Sequence, residues 1–179
     1  MKLIETGING CYEIFPKIFE DHRGLFVKPY NIEEFKKIGI RFKVYESFFV
    51  TSNLNVLRGM HFQAPPKSVD KLITCLDGKV FDVLIDLRKN SISYLHTFTT
   101  ILDSELRNMI FAPKGIAHGY YTLMDNSLVL YGCSNVHFPR KDIGIKWDSI
   151  GVQWPIVSEP IISDKDSNFI KLSDFRSPF

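Results

Sequence analysis

The chain has 179 residues, with 22 Lys and Arg against 20 Asp and Glu, a net charge of +2. That balance excludes a protein working mainly by attraction to the nucleic-acid backbone. Apolar stretches of only a few residues exclude a membrane-spanning helix. With 15 Phe and 7 Tyr, the chain has the aromatic content of a packed core or a lined pocket, not of a disordered segment.

The length fits one domain, expected to span residues 1–179. Residues 1–20 lack a positive stretch followed by an apolar one, so no signal peptide is expected. Cys11, Cys75 and Cys133 are odd in number and irregularly spaced. They read as buried thiols of a protein in the reducing cytoplasm, not as a disulfide framework.

The one strong helix signal covers residues 31–39. Asn31 suits an N-cap, Glu34 follows three residues later as in a capping box, and Gly39 suits a stop. Ile32, Phe35 and Ile38 then share a face. Residues 49–51 are strand-like. Residues 71–76 and 79–87, joined by Asp77-Gly78, predict a hairpin, because Asp-Gly supplies the positive φ angles of a two-residue turn. In its second arm Phe81, Val83, Ile85 and Leu87 lie on one face; Val80, Asp82, Leu84 and Asp86 lie on the other. Two acids among aliphatic residues fit either a solvated face or a barrel interior that holds polar groups. Further runs at 95–102, 108–112, 120–123 and 127–134 are separated by turn signals such as Pro113-Lys114-Gly115 and Asp125-Asn126. Many short strands at this spacing predict an all-β sandwich or barrel. From Pro155 onward the chain is acidic and punctuated by proline, and is expected to pack back over the body.

Four clusters hold residues suited to chemistry. The first is Arg58-Gly59-Met60-His61-Phe62-Gln63, followed by Pro65-Pro66 and Lys71. His61 sits near a strand end and reads either as a general base or as a buried, hydrogen-bonded histidine. In the second, Gly115 and Gly119 flank His118, which indicates a tight turn or a close backbone approach. Tyr131, alternating with Val129 and Cys133, is either a proton donor in a pocket or a core tyrosine. Ser163-Asp164-Lys165-Asp166 by itself reads as a solvated charge run. The histidines at 22, 61, 96, 118 and 137 form no HxH, HxxxH or HExxH pattern, so a metal site would require His61, His118 and a carboxylate to converge. The glycine-rich dinucleotide and phosphate loops and the nucleophile elbow are also missing.

In this order the clusters resemble the dTDP-4-dehydrorhamnose 3,5-epimerase family, the cupin-type sugar-nucleotide epimerases. The matching stretches begin with Asp21-His22-Arg23-Gly24-Leu25-Phe26, Val56-Leu57-Arg58-Gly59-Met60-His61-Phe62-Gln63 and Lys71-Leu72. Gly78-Lys79-Val80-Phe81-Asp82-Val83, Asp86, Arg88, Ala117-His118-Gly119-Tyr120 and Tyr131 follow. Gly144-Ile145-Lys146-Trp147, Trp154-Pro155 and Ser163-Asp164-Lys165-Asp166 complete the set, over about residues 10 to 170.

The resemblance implies a cupin-type jelly-roll β-barrel with short helices, usually a homodimer, using no metal and no cofactor. It implies a nucleotide-sugar substrate of the 4-keto-6-deoxy class and inversion at C3, C5 or both, for deoxysugar and surface-glycan biosynthesis. By position, His61 resembles the base, Asp166 its carboxylate partner, Tyr131 the acid on the opposite face and Lys71 the group near the keto oxygen. Arg58 resembles a diphosphate contact. His118 and Gln63 fall among the pocket residues, and Glu46 on the nucleotide side. Arg23 and Phe26 match a segment that reaches the neighbouring subunit's nucleotide.

Those residue types suit the reaction. A proton α to a ketone needs a placed base, and the enolate needs a nearby positive charge. A carboxylate-held histidine keeps one tautomer and gains basicity. Arginine suits a diphosphate through its bidentate fork.

The chain departs from the family pattern where Glu46, Phe48 and Val50 stand for the usual Gln, Asn and Ser. Asn55, Lys28, Phe138 and Gly132 stand for Gly, Glu, Tyr and Lys. The chemical set is kept and the substrate shell is altered. The neighbouring readings are a cupin-type sugar-nucleotide 3,4-ketoisomerase and a C3-only or C5-only epimerase on a GDP- or CDP-sugar. A non-catalytic sugar-binding cupin would have lost the base or the acid. A metal-dependent cupin oxygenase would bind iron or nickel.

Overall fold

The computed structural model describes residues 1–179. Its first strands are β1 (Lys2–Glu5), β2 (Tyr12–Phe15), β3 (Ile18–Asp21) and β4 (Gly24–Val27), followed by helix α1 (Ile32–Lys37). Then come β5 (Glu46–Ser52), β6 (Leu57–Gln63), β7 (Lys71–Asp77), β8 (Lys79–Asp86), β9 (Thr97–Asp103), β10 (Met109–Ala112), β11 (Ile116–Thr122) and β12 (Ser127–Cys133). Short β13 (Asp142–Gly144) and helix α2 (Asp164–Ser167) complete the named elements. One sheet has the order β1-β2-β10-β7-β12-β5 and a second the order β13-β6-β11-β8-β9; β3 and β4 form a separate hairpin. All named pairings are antiparallel.

The two sheets face each other across a shared core. Val80, Leu84, Ile116 and Tyr120 of the second sheet pack against Ile73, Ile110, Val129 and Tyr131 of the first. The outer faces are covered too. Val83, Ile85 and Leu87 lie under the C-terminal segment, where Phe175 and Phe179 bring their rings edge-on to Phe62 at 5.5 and 5.8 Å. Ile14, Leu72, Met109 and Phe111 lie under Phe35 of α1 and Phe42. This two-sided cover makes the central strands nearly continuous apolar runs. The layering is that of a jelly roll, and the tail packs back as expected.

The predicted hairpin at Asp77-Gly78 is overturned. β7 pairs with β10 and β12, whereas β8 pairs with β9 and β11. Gly78, at φ +76°, turns a corner between sheets, and a Cβ there would meet Ser127 Oγ at 2.5 Å. Each arm is instead flanked by strands on both sides within its own layer. The acids of β8 settle the question that alternation left open: Asp82 and Asp86 are buried in the interior.

Helix α1 is shorter than the predicted span. Asn31 caps it by accepting from the amides of Glu33 and Glu34, but Glu34 pairs with Lys37, so the reciprocal half of the capping box is missing. Of the three apolar residues expected on its face only Phe35 is fully buried, Ile32 is exposed, and Ile38 falls beyond the helix as its C-cap. β11 starts at Ile116, four residues before the run read from sequence, so His118 sits within a strand and not in a turn. The short strands β1 to β4 carried no strand signal in the sequence.

Candidate active site

A cavity of about 420 Å³ opens between the sheets, with Arg58, His61, Lys71, His118 and Tyr131 on its walls. Its geometry starts with two glycines. A Cβ on Gly59 would lie 2.5 Å from the Gly119 Cα, so β6 and β11 approach more closely than side chains allow. His61 and His118 are cross-strand partners there, and the register shifts just beyond them, between His118 and Tyr120. Close approach, not a turn, is the role of Gly119.

His61 Nε2 lies 2.8 Å from Asp166 Oδ1, and the Gly59 amide donates to Asp166 Oδ2 at 3.0 Å. Asp166 is buried. Burial pushes its carboxyl up, but the hydrogen bond and charge of His61, with the Gly59 and Ser163 bonds, outweigh this and hold it below the usual carboxylate range. An ionised Asp166 only accepts, so Nε2 of His61 carries the proton and Nδ1 keeps the basic lone pair. The reading of Ser163–Asp166 as a solvated run is therefore corrected at Asp166, while Ser163, Asp164 and Lys165 are exposed. Ser163 caps a single helical turn by accepting from the Asp166 amide, and the turn buries that carboxylate.

Lys71 opens β7 and donates from Nζ to the His61 carbonyl at 3.0 Å. Burial lowers its pKa from the ordinary lysine value. Tyr131 is buried, and burial raises its phenol well above the usual range, so it retains its proton. Its ring stacks on Phe48 at 4.8 Å and meets the edge of His118 at 5.8 Å. Arg58 Nε donates to Ser52 Oγ at 3.0 Å, and that hydroxyl also bonds Tyr120 Oη at 3.0 Å.

His118 Nε2 contacts Asp82 Oδ2 at 2.6 Å, both side chains being buried, and Asp82 Oδ1 has no partner. Sequence reading missed Asp82 as the partner of a histidine. The signal available was its place on the interior face of β8. Gln63 lines the cavity, but its amide spans two loops, with Nε2 donating to the Lys67 and Val136 carbonyls and Oε1 accepting from the Phe138 amide. Glu46 also lines it and accepts from the His137 amide at 2.6 Å. Arg23 and Phe26 stand apart. They lie exposed on the β3–β4 hairpin, with Arg23 held by Asp21.

His61 and His118 are each tied to their own carboxylate, and no three His, Cys, Asp or Glu side chains gather to hold a metal ion. No helix is long and apolar enough to cross a membrane.

A jelly-roll barrel whose cavity holds a carboxylate-paired imidazole, a proton-retaining phenol and an ammonium is of the cupin type, with a site suited to proton transfer at carbon. The chain matches the family model "dTDP-4-dehydrorhamnose 3,5-epimerase" over residues 5–174, and it belongs to that family. It is similar to the dTDP-4-dehydrorhamnose 3,5-epimerase of Methanothermobacter thermautotrophicus, at 37% identity over 97% of this chain and 95% of the relative. The Escherichia coli enzyme of the same name is 35% identical over 97% of this chain and 96% of its own. Among solved structures, the dTDP-6-deoxy-D-glucose-3,5-epimerase of Legionella pneumophila, in complex with dTDP-4-keto-L-rhamnose, superposes with a TM-score of 0.93 at 30% identity, over 98% of this chain and 94% of that one.

Proposed function

We propose that this chain inverts C3, C5 or both in a dTDP-linked 4-keto-6-deoxy sugar. The observation that carries the reading is the His61–Asp166 pair on the wall of a cavity shared with Tyr131 and Lys71. His61 Nδ1 takes the proton from the carbon next to the ketone. The C–H electron pair moves into an enolate, whose oxygen is stabilised by the Lys71 ammonium. Tyr131 Oη then gives its proton to the same carbon from the opposite face. The step leaves an imidazolium and a phenolate, which solvent resets. Arg58 offers its remaining guanidinium N–H groups to the diphosphate.

We read residues 1–179 as one domain acting in the cytoplasm as a homodimer. Ile18, Phe19, Leu25 and Phe26 are exposed on a hairpin that joins neither sheet. Such an apolar finger suits burial against a second copy, which would bring Arg23 and Phe26 to the partner's nucleotide. Light scattering reads the assembly directly.

The test is proton exchange in D₂O with dTDP-4-keto-6-deoxyglucose, followed by mass and NMR. Two deuterons per sugar mean that both carbons are opened. One deuteron marks a single-site epimerase, and NMR identifies the carbon. No exchange with the dTDP-, GDP- or CDP-linked sugars would refute the assignment.

A further inference from the structure

Three residues of β5 face the cavity from alternate positions: Glu46, Phe48 and Val50. Phe48 is the direct cross-strand partner of Tyr131, and the two rings lie 4.8 Å apart at an angle of 14°. The next residue back, Ser47, donates from Oγ to the Tyr131 carbonyl at 2.8 Å. This piece of an edge strand therefore grips Tyr131 twice, at its backbone through Ser47 and at its ring through Phe48.

The grip matters because nothing polar holds the phenol. Tyr131 Oη has no hydrogen-bond partner within the protein, and its raised pKa arises from burial and nearby charges alone. The place of its hydroxyl is thus set by packing, between the face of Phe48 and the edge of His118. A phenol that must deliver a proton to one face of a carbon needs near-attack placement. We propose that Phe48 is the positioning residue for the Tyr131 acid. Its flat face holds the phenol on line and so sets how often an enolate is reprotonated with inversion instead of being returned to its starting configuration.

This inference rests on the base and acid assigned above, and its readout separates the two. His61 opens the C–H bond whether or not Tyr131 is well placed. An enolate that Tyr131 fails to trap takes deuterium back from the His61 side. Exchange without inversion is therefore the mark of a displaced acid.

The experiment follows early time points in D₂O with dTDP-4-keto-6-deoxyglucose, comparing wild type with Phe48→Leu, Phe48→Ala and Phe48→Tyr. Leu fills much of the volume without a flat face, which keeps a folded comparison in hand if the alanine variant is unstable. Tyr restores the stacking surface. The ratio of exchanged, uninverted sugar to inverted product should rise about tenfold in the Leu and Ala variants, with kcat for inversion falling more than KM changes. In Phe48→Tyr the ratio should return to near the wild-type value. An unchanged ratio with a raised KM would make Phe48 a wall contact only and overturn the proposal. Absence of exchange in the wild type would instead overturn the proton-transfer reading beneath it.

Discussion

Asp166 accepts from His61 across 105 residues of sequence, and its second oxygen takes the amide of Gly59, two residues before that histidine. One carboxylate thus fixes both the ring and the strand that carries it. This bond orients the ring of a cavity histidine, as the base proposed above requires.

Replacing His61 by alanine should therefore abolish α-proton exchange and turnover together, a loss of about 10²–10⁴-fold for a general base. Asp166→Asn keeps the shape but removes the charge that fixes the tautomer. It should lower exchange and inversion by the same factor, since both follow the same base. Deuterium incorporation by mass spectrometry measures both, and exchange surviving in His61→Ala would unseat that residue as the base.

Lys71→Met should cost about 10²–10³-fold in kcat, the scale of losing one group that stabilises an oxyanion. Its effect on stability has a definite sign. Burial lowers the folded-state pKa of Lys71, while the unfolded value is about 10.4. Between the two the unfolded chain binds more protons, so this group adds stability as pH rises. The Tm difference between wild type and Lys71→Met should shift in favour of the wild type from pH 8 to about pH 10.

Gly59→Ala should be among the most damaging single-methyl additions in the chain. The new Cβ would lie 2.5 Å from the Gly119 Cα, and the residue sits at φ +139°, where side chains are disfavoured. Backbone must shift on one strand or the other. A loss of about 3 kcal/mol is expected from overpacking of this kind, equivalent to a fall in Tm of roughly 6–12 °C for a chain this long. Calorimetry would measure it, and a Tm within a degree or two of wild type would contradict the close approach.

Burial pushes the thiols of Cys11 and Cys75 up to about 12 and that of Cys133 up to about 11. Unfolded thiols titrate near 8.5. As pH rises between these values the unfolded chain releases protons that the folded chain retains, so stability falls, by about 1–2 kcal/mol per thiol at pH 10. Cys→Ala variants should flatten this alkaline slope in denaturant titrations. In the native protein at pH 8 none of the three should react with a thiol-specific reagent.

The roles expected of His61, Lys71, Tyr131 and Asp166 came from the resemblance of their motifs to the epimerase family, because side-chain type alone left His61 and Tyr131 open between a chemical and a structural role. The strand runs that carry Lys71 and Tyr131 followed from side-chain alternation. The edges of that reading have physical causes. Short β1 to β4 bury too little to show a pattern, and the Asp77-Gly78 corner has the local chemistry of a hairpin although its two strands belong to different sheets.

What the sequence determined by itself was an all-β chain with aromatic filling and a set of motifs in the order of the epimerase family. Tertiary structure decided which of them meet. Asp166 looked solvated among its charged neighbours until a capped helical turn buried it against His61. Asp82 looked like one acid of an ambiguous face until the β8–β11 pairing within one sheet placed it on His118. Phe48 became the neighbour of the Tyr131 phenol only through the β5–β12 register. Local sequence sets propensity and chemistry, but long-range pairing decides which side chains meet, and burial gives each contact its strength.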